Sequence, residues 1–241
     1  MAPNFERRTQ SLGGYGVAGR VEVDQALRAY LLHVYNIMAS GLLLSGIIAV
    51  LVAESPALTQ TVNGSGLGML IRIAPLGILL AMSFGINKMS AATVSILYWA
   101  FVATMGVGLS GIFYVYHLGS ILQLFFVTAA MFGAMSLYGY TTQRDLTHFG
   151  SFLFMGLIGI VIAMVVNLFF HSAGLGFIIS VLGVLIFTGL TAYDTQRIKR
   201  EFHEGNPAEV TSKMATMSAV SLYLNFINLF LLLLSLVGDR R

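Results

Sequence analysis

The chain has 241 residues, 57% hydrophobic and only 10% charged, with a net charge of +3 and a mean hydropathy of +0.84. Soluble domains are about 45–50% apolar and about 25% charged, so 13 basic and 10 acidic side chains are too few to coat a water-soluble enzyme of this size. Cysteine is absent, which excludes disulfide scaffolds, thiol catalysis and cysteine metal sites.

Residues 1–28 hold Arg7, Arg8, Arg20 and Arg28 with Glu6, Glu22 and Asp24 and no apolar core. That excludes a cleaved signal peptide and predicts a flexible cytoplasmic tail over 1–28. Apolar runs follow at 29–53, 67–86, 91–115, 119–140, 149–170, 174–194 and 215–237. One crossing takes roughly 20 apolar residues, and each run is long enough to span. Turn chemistry fills the links: Glu54-Ser55-Pro56, Asn63-Gly64-Ser65-Gly66, Asn87-Lys88 and Gly205-Asn206-Pro207. The alternating strands of an outer-membrane barrel are not present. The expected fold is therefore all-α and polytopic: a seven-helix transmembrane domain over 29–237, with 238–241 as a C-terminal tail.

Cytoplasmic links retain lysine and arginine. With the N-terminus inside, Arg7, Arg8, Arg20, Arg28, Lys88, Arg144, Arg197, Lys199, Arg200 and Lys213 face the cytoplasm, and only Arg72, Arg240 and Arg241 lie outside. Orientation in a membrane thus explains the basic residues, and no nucleic-acid partner is expected. A re-entrant last run would bring the terminal pair inside, but 215–237 is long enough to cross.

The fourth run ends in Tyr140-Thr141-Thr142-Gln143-Arg144 and the sixth in Tyr193-Asp194-Thr195-Gln196-Arg197. Both place an interfacial tyrosine, side chains able to bond the last carbonyls, and an arginine suited to a helix C-terminus. The difference is Asp194 where the first copy has Thr141. Nine of the ten acids fall in tails and links, and Asp194 alone continues an apolar helix. A carboxylate at a helix centre in hydrocarbon costs ~2.5–3.5 kcal/mol on insertion scales and is a functional candidate by default. The plainer reading is an ion pair with Arg197, three residues on.

In the last run, Ser221-Leu-Tyr-Leu-Asn225-Phe-Ile-Asn228-Leu-Phe230 sets two amides one turn apart among apolar residues. Amides in hydrocarbon need partners, which predicts a central helix and a meeting of Asp194 with Asn225 in a hydrated gate. His33 and Asn36, three apart, are assigned to the same interior. Gly106 with Ser110, and Gly159 with Ala163, read as small-residue helix contacts.

Tyr193-Asp194-Thr195-Gln196, the Ser221-to-Phe230 stretch, and Tyr138-to-Leu146 with its Gly150-Ser-Phe-Leu continuation resemble the Bax inhibitor-1 family of transmembrane Bax-inhibitor-motif proteins. The resemblance implies a seven-helix bundle around the last helix and a pH-sensitive calcium leak. It also implies association, in bacterial relatives, with the membrane-bound AAA protease, which would make the chain a quality-control regulator instead of a channel. The family's carboxylate on helix six maps to Asp194, and its partner carboxylate on helix seven to Asn225. Two carboxylates share a proton through like-charge repulsion. An Asp–Asn pair lacks that repulsion, so a weaker or more acid-shifted pH response is expected. Asp194, Asn225 and Asn228 supply one carboxylate and two amide oxygens, enough for weak, transient calcium contact only, and Arg197 joins Asp194 and Asn225 as gate.

Other signals carry less. Gly14-Tyr-Gly-Val-Ala-Gly19 and Gly106-Val-Gly-Leu-Ser-Gly111 mimic a dinucleotide fingerprint without the strand it needs. His33, His117, His148, His171 and His203 form no metal spacing, and no cofactor is expected beyond calcium as a permeating ion. Arg72 is explained by snorkelling. An intramembrane hydrolase would need Ser221 or Thr191 beside Asp194 as its base, and no enzyme is expected.

Overall fold

The computed structural model describes residues 6–64 and 66–241, with side chains given outside 6–24, 63–64, 67 and 69. Of the flexible tail expected over 1–28, residues 1–5 lie outside the described residues, and Glu6–Arg28 form the first part of helix α1. The elements are α1 Glu6–Glu54, α2 Pro56–Gly64, α3 Gly66–Gly85, α4 Ala91–Leu109, α5 Ile112–Val115, α6 Leu118–Thr141, α7 Thr147–Phe170, α8 Ala173–Glu201 and α9 Ala208–Val237. Among the described residues there is no strand, only a single antiparallel bridge between Tyr116 and Arg240. The protein is an all-α polytopic membrane protein.

Among the described residues six helices are long and apolar enough to cross a membrane, where the sequence predicts seven. The difference is α3, whose described apolar stretch, Leu70–Gly85, is short and contains Pro75. The chain nevertheless traverses the bundle there. Tyr114 Oη donates to Ala53 O at 2.8 Å, placing the end of α1 beside α5. Lys213 Nζ donates to Met89 O at 3.2 Å, placing the α3–α4 link beside the start of α9 at the opposite end. The last helix runs the full height, because beyond it Asp239 N donates to Ser120 Oγ at 3.0 Å and Arg240 lies 5.8 Å over the Tyr116 ring.

Local chemistry sets the helix ends. Ser90 and Ser172 accept from Thr93 N and Leu175 N as N-caps, at 3.2 and 3.3 Å. His171 closes α7 in the left-handed region, φ 49°, with its N–H on Asn167 O at 2.9 Å. Asn167 Oδ1 accepts from Ser172 N at 2.9 Å, tightening the α7–α8 hairpin.

The last helix is the axis: 61% of its apolar stretch is buried, against 11% for that of α7. Its Tyr223 meets Phe101 of α4 edge-on at 5.5 Å and bonds Ser45 of α1 at 2.7 Å, and Ser45 donates to Val102 O at 2.7 Å. Three helices are thus locked by one buried polar cluster, as hydrocarbon requires of polar side chains.

Small residues let backbones approach. A Cβ on Gly106 would meet the Ser45 backbone of α1, and one on Gly139 would meet the Ala192 backbone of α8. The expected Gly159 contact is not made: Gly159 is exposed with open space around it. Gly156, one turn earlier and on a neighbouring face, packs against Ile186 instead.

The two repeated helix ends meet instead of acting alike. Gln196 Nε2 donates to Arg144 O at 2.8 Å and its Oε1 accepts from Leu146 N at 2.9 Å. Lys199 Nζ donates to Tyr140 O at 2.9 Å, so α8 closes the C-terminus of α6. Arg200 Nη1 bonds Asp145 Oδ1 at 2.8 Å and Thr147 Oγ1 at 2.9 Å.

Asp145, in the link outside the spans, is held down to about pKa 2 by the Thr147 hydroxyl and N–H, with help from Arg200. Its contribution is complete above the ordinary carboxylate range and is lost only as pH falls through about 2. Asp145→Asn is therefore expected to speed hydrogen exchange over 144–150 without altering how any activity depends on pH above 4. Gly139→Ala should lower stability by about 1–3 kcal/mol through overpacking against an unyielding backbone, while Gly159→Ala leaves it unchanged; thermal unfolding in detergent measures both.

Candidate functional site

Asp194 lies near the basic end of α8, on the face turned to α9, and is 4% exposed. Asn225 Nδ2 donates to its Oδ2 at 2.7 Å. Arg197 Nη2 stands 3.1 Å from Oδ1. The two readings of the sequence therefore coexist: Asp194 makes the local ion pair and also meets the amide on the last helix.

Arg197 is held from several directions. Nη2 donates to Ser221 Oγ at 3.2 Å, Nε lies 3.7 Å from Glu201 Oε1, and the guanidinium sits 5.9 Å over the Tyr193 ring. Its side chain is 28% exposed against 6% for that of Asp194, so the cation reaches toward the surface while the carboxylate stays inside. Neither Asp194 Oδ1 nor Arg197 Nε makes a hydrogen bond. Their contact is electrostatic, without the two parallel bonds of a forked arginine–carboxylate pair.

The pair forms part of the wall of a cavity of about 290 Å³ bounded by α7, α8 and α9. Ser221, Asn225 and Asn228 supply its other polar atoms, and Phe154, Leu157 and Leu190 are among its apolar ones. Asn228 lines this cavity, yet its Nδ2 donates to Leu224 O at 2.8 Å, one turn back on its own helix. Asp194 and Asn225 are thus brought together, and Asn228 is placed nearby without bonding either.

Other residues are placed differently from expectation. His33 and Asn36 are exposed on the outer face of α1; the helix turns Val34 and Met38 inward in their place. The α1 side chain that reaches α8 is Tyr35, whose hydroxyl pairs with Thr195 Oγ1 at 3.2 Å. Ser221 bonds Arg197, and Thr191 Oγ1 donates to Phe187 O at 2.8 Å, so neither hydroxyl is bonded to Asp194 as a nucleophile to its base. Among the described residues no three His, Asp or Glu side chains converge as a metal site. Glu201, assigned with the links in the sequence, lies one turn beyond Arg197, and its i,i+4 spacing is the signal that pairs them; Tyr35 needed the tertiary placement of α1.

The model of the family described as "Inhibitor of apoptosis-promoting Bax1" matches residues 27–241. An uncharacterized protein of Rickettsia prowazekii is 45% identical, over 90% of this chain and 92% of the relative. One from Caulobacter vibrioides is 43% identical, over 92% of each. Inner membrane protein YbhL of Escherichia coli is 42% identical, over 92% of this chain and 96% of its own. The chain, matched over residues 27–241, belongs to the Bax inhibitor-1 family.

Proposed function

We propose that the protein is a multi-pass inner-membrane cation leak, chiefly for calcium, gated near the basic ends of α8 and α9 by Asp194, Asn225 and Arg197. The observation that carries this reading is a buried carboxylate in the wall of a cavity, with a guanidinium 3.1 Å away that also reaches a surface acid. While Arg197 is in place, its charge occupies the carboxylate and repels any approaching cation. Movement of Arg197 toward Glu201 uncovers Asp194. One carboxylate and amide oxygens bind calcium weakly, which suits release. Proton and guanidinium compete for the same oxygens, which makes the latch responsive to pH. No chemical step is assigned to the site.

Arg28, Lys88, Arg144, Arg197, Lys199, Arg200 and Lys213 belong to the end where Lys213 meets Met89 and Arg200 meets Asp145. Their excess supports a cytoplasmic basic end and N-terminus. Similarity to the Escherichia coli inner membrane protein YbhL supports the inner membrane.

A second reading, a regulator of membrane-protein turnover acting through the membrane-bound AAA protease, is favoured by α7. That helix is the least buried and exposes Phe152, Met155, Leu168 and Phe169 as a surface for another transmembrane segment. On this reading the protein leaves liposomes tight.

Calcium flux into proteoliposomes separates the two. Arg197→Gln is expected to raise the leak at neutral pH by about tenfold, the factor that ~1.4 kcal/mol off a barrier gives. Asn225→Asp, which restores an acid pair sharing one proton, should move the pH midpoint toward neutrality. Liposomes that stay tight with Arg197→Gln at every pH would overturn the latch, and an unmoved midpoint would remove the paired site.

A further inference from the structure

A second cavity, of about 380 Å³, opens between α1 and α6 at the basic end, with Thr195 of α8 in its floor. Leu31, Leu32, Phe132 and Leu137 make its walls apolar. Ser136 is 93% buried at this site, and its hydroxyl has no hydrogen-bond partner. Serine and threonine in helices ordinarily bond back to a carbonyl, as Thr128 and Thr141 of the same helix do at 2.7 and 2.8 Å. A hydroxyl left unbonded in an apolar setting is costly, so Ser136 marks a place where a ligand oxygen is wanted.

The rim is cationic. Arg28 is exposed at the mouth. Lys199 Nζ lies 5.0 Å over the ring of Tyr140, another rim residue. One turn inward from Tyr140 comes Ser136, and Gly133 follows, where a Cβ would meet nothing within 4 Å. Farther along α1 and α6 lies a separate cavity of about 460 Å³, shared with α5 and α9 and lined only by apolar residues such as Leu43, Leu122 and Phe230. Reading inward from the membrane surface, the order is cation, hydroxyl, then apolar groove.

We propose that the α1–α6 cleft binds an anionic phospholipid of the leaflet at the basic end. Arg28 faces the phosphate, Ser136 donates to a glycerol ester oxygen, and an acyl chain follows the apolar groove. Basic residues at the surface attract such lipids, and the apolar walls give no purchase to a small, water-soluble anion.

The test uses the full chain in phosphatidylcholine nanodiscs doped with photoactivatable phosphatidylglycerol or, in parallel, photoactivatable phosphatidylcholine. Labelled peptides are located by mass spectrometry. Phosphatidylglycerol should label α1 near 28–35 and α6 near 132–140 in preference to phosphatidylcholine, and inorganic phosphate should not compete. Arg28→Gln should lower that labelling about fivefold, the factor corresponding to about 1 kcal/mol per basic residue near an anionic surface. Gly133→Leu, which fills open space in the groove, should abolish it. Arg144→Gln, the same charge change outside the cleft, should leave it intact. Equal labelling by both lipids, labelling elsewhere, or competition by phosphate would overturn the proposal. Arg28 is exposed, so its variant decides the matter even if Gly133→Leu does not fold.

Discussion

A carboxylate inside an apolar helix pair has to be compensated where it sits, and Asp194 is compensated from two directions. Arg197 approaches from its own helix and Asn225 from α9. An interhelical hydrogen bond in a membrane contributes ~0.6 kcal/mol on average, well below the ~2.5–3.5 kcal/mol that a carboxylate costs at a helix centre. The amide therefore serves chiefly to fix how α8 and α9 are registered. Since α9 is the axis on which α1 and α4 lock through Tyr223, Ser45 and Val102, that register is felt throughout the bundle.

Successive residues on a helix point about 100° apart, and α8 uses this over four positions. Asp194 addresses α9, Thr195 meets Tyr35 of α1, Gln196 holds the α6–α7 link, and Arg197 reaches Ser221 of α9. Lys199 and Arg200 continue the hold on that link. Asp194 thus sits on the element that ties the basic end of the protein together. Arg197, held by Asp194, Ser221 and Glu201, is the more exposed partner of the pair. Asp145, held down to about pKa 2, stays ionised above about pH 4.

Much of this was legible in the sequence. Scarcity of charge singled out Asp194, because nine other acids had ordinary places in tails and links. Two amides one turn apart in an apolar run marked α9 as central. What periodicity could not supply was the direction of a face. His33 and Asn36 share one side of α1, but the spacing is the same whether that side looks inward or outward. Gly156 and Gly159 are both small residues on α7, and only the position of Ile186 decides which is packed. The repeated pentapeptide suggested two equal helix ends; the fold makes one hold the other. Ser136 gave no signal, since an isolated serine in a helix ordinarily bonds backward.

The most direct measurement is calcium flux through purified wild-type protein and Asp194→Asn in matched liposomes, from acid to alkaline pH. If Asp194 is the group that the proton and Arg197 compete for, the wild type changes its leak with pH, while Asp194→Asn differs in rate and loses that dependence. Identical leaks at every pH would contradict the account.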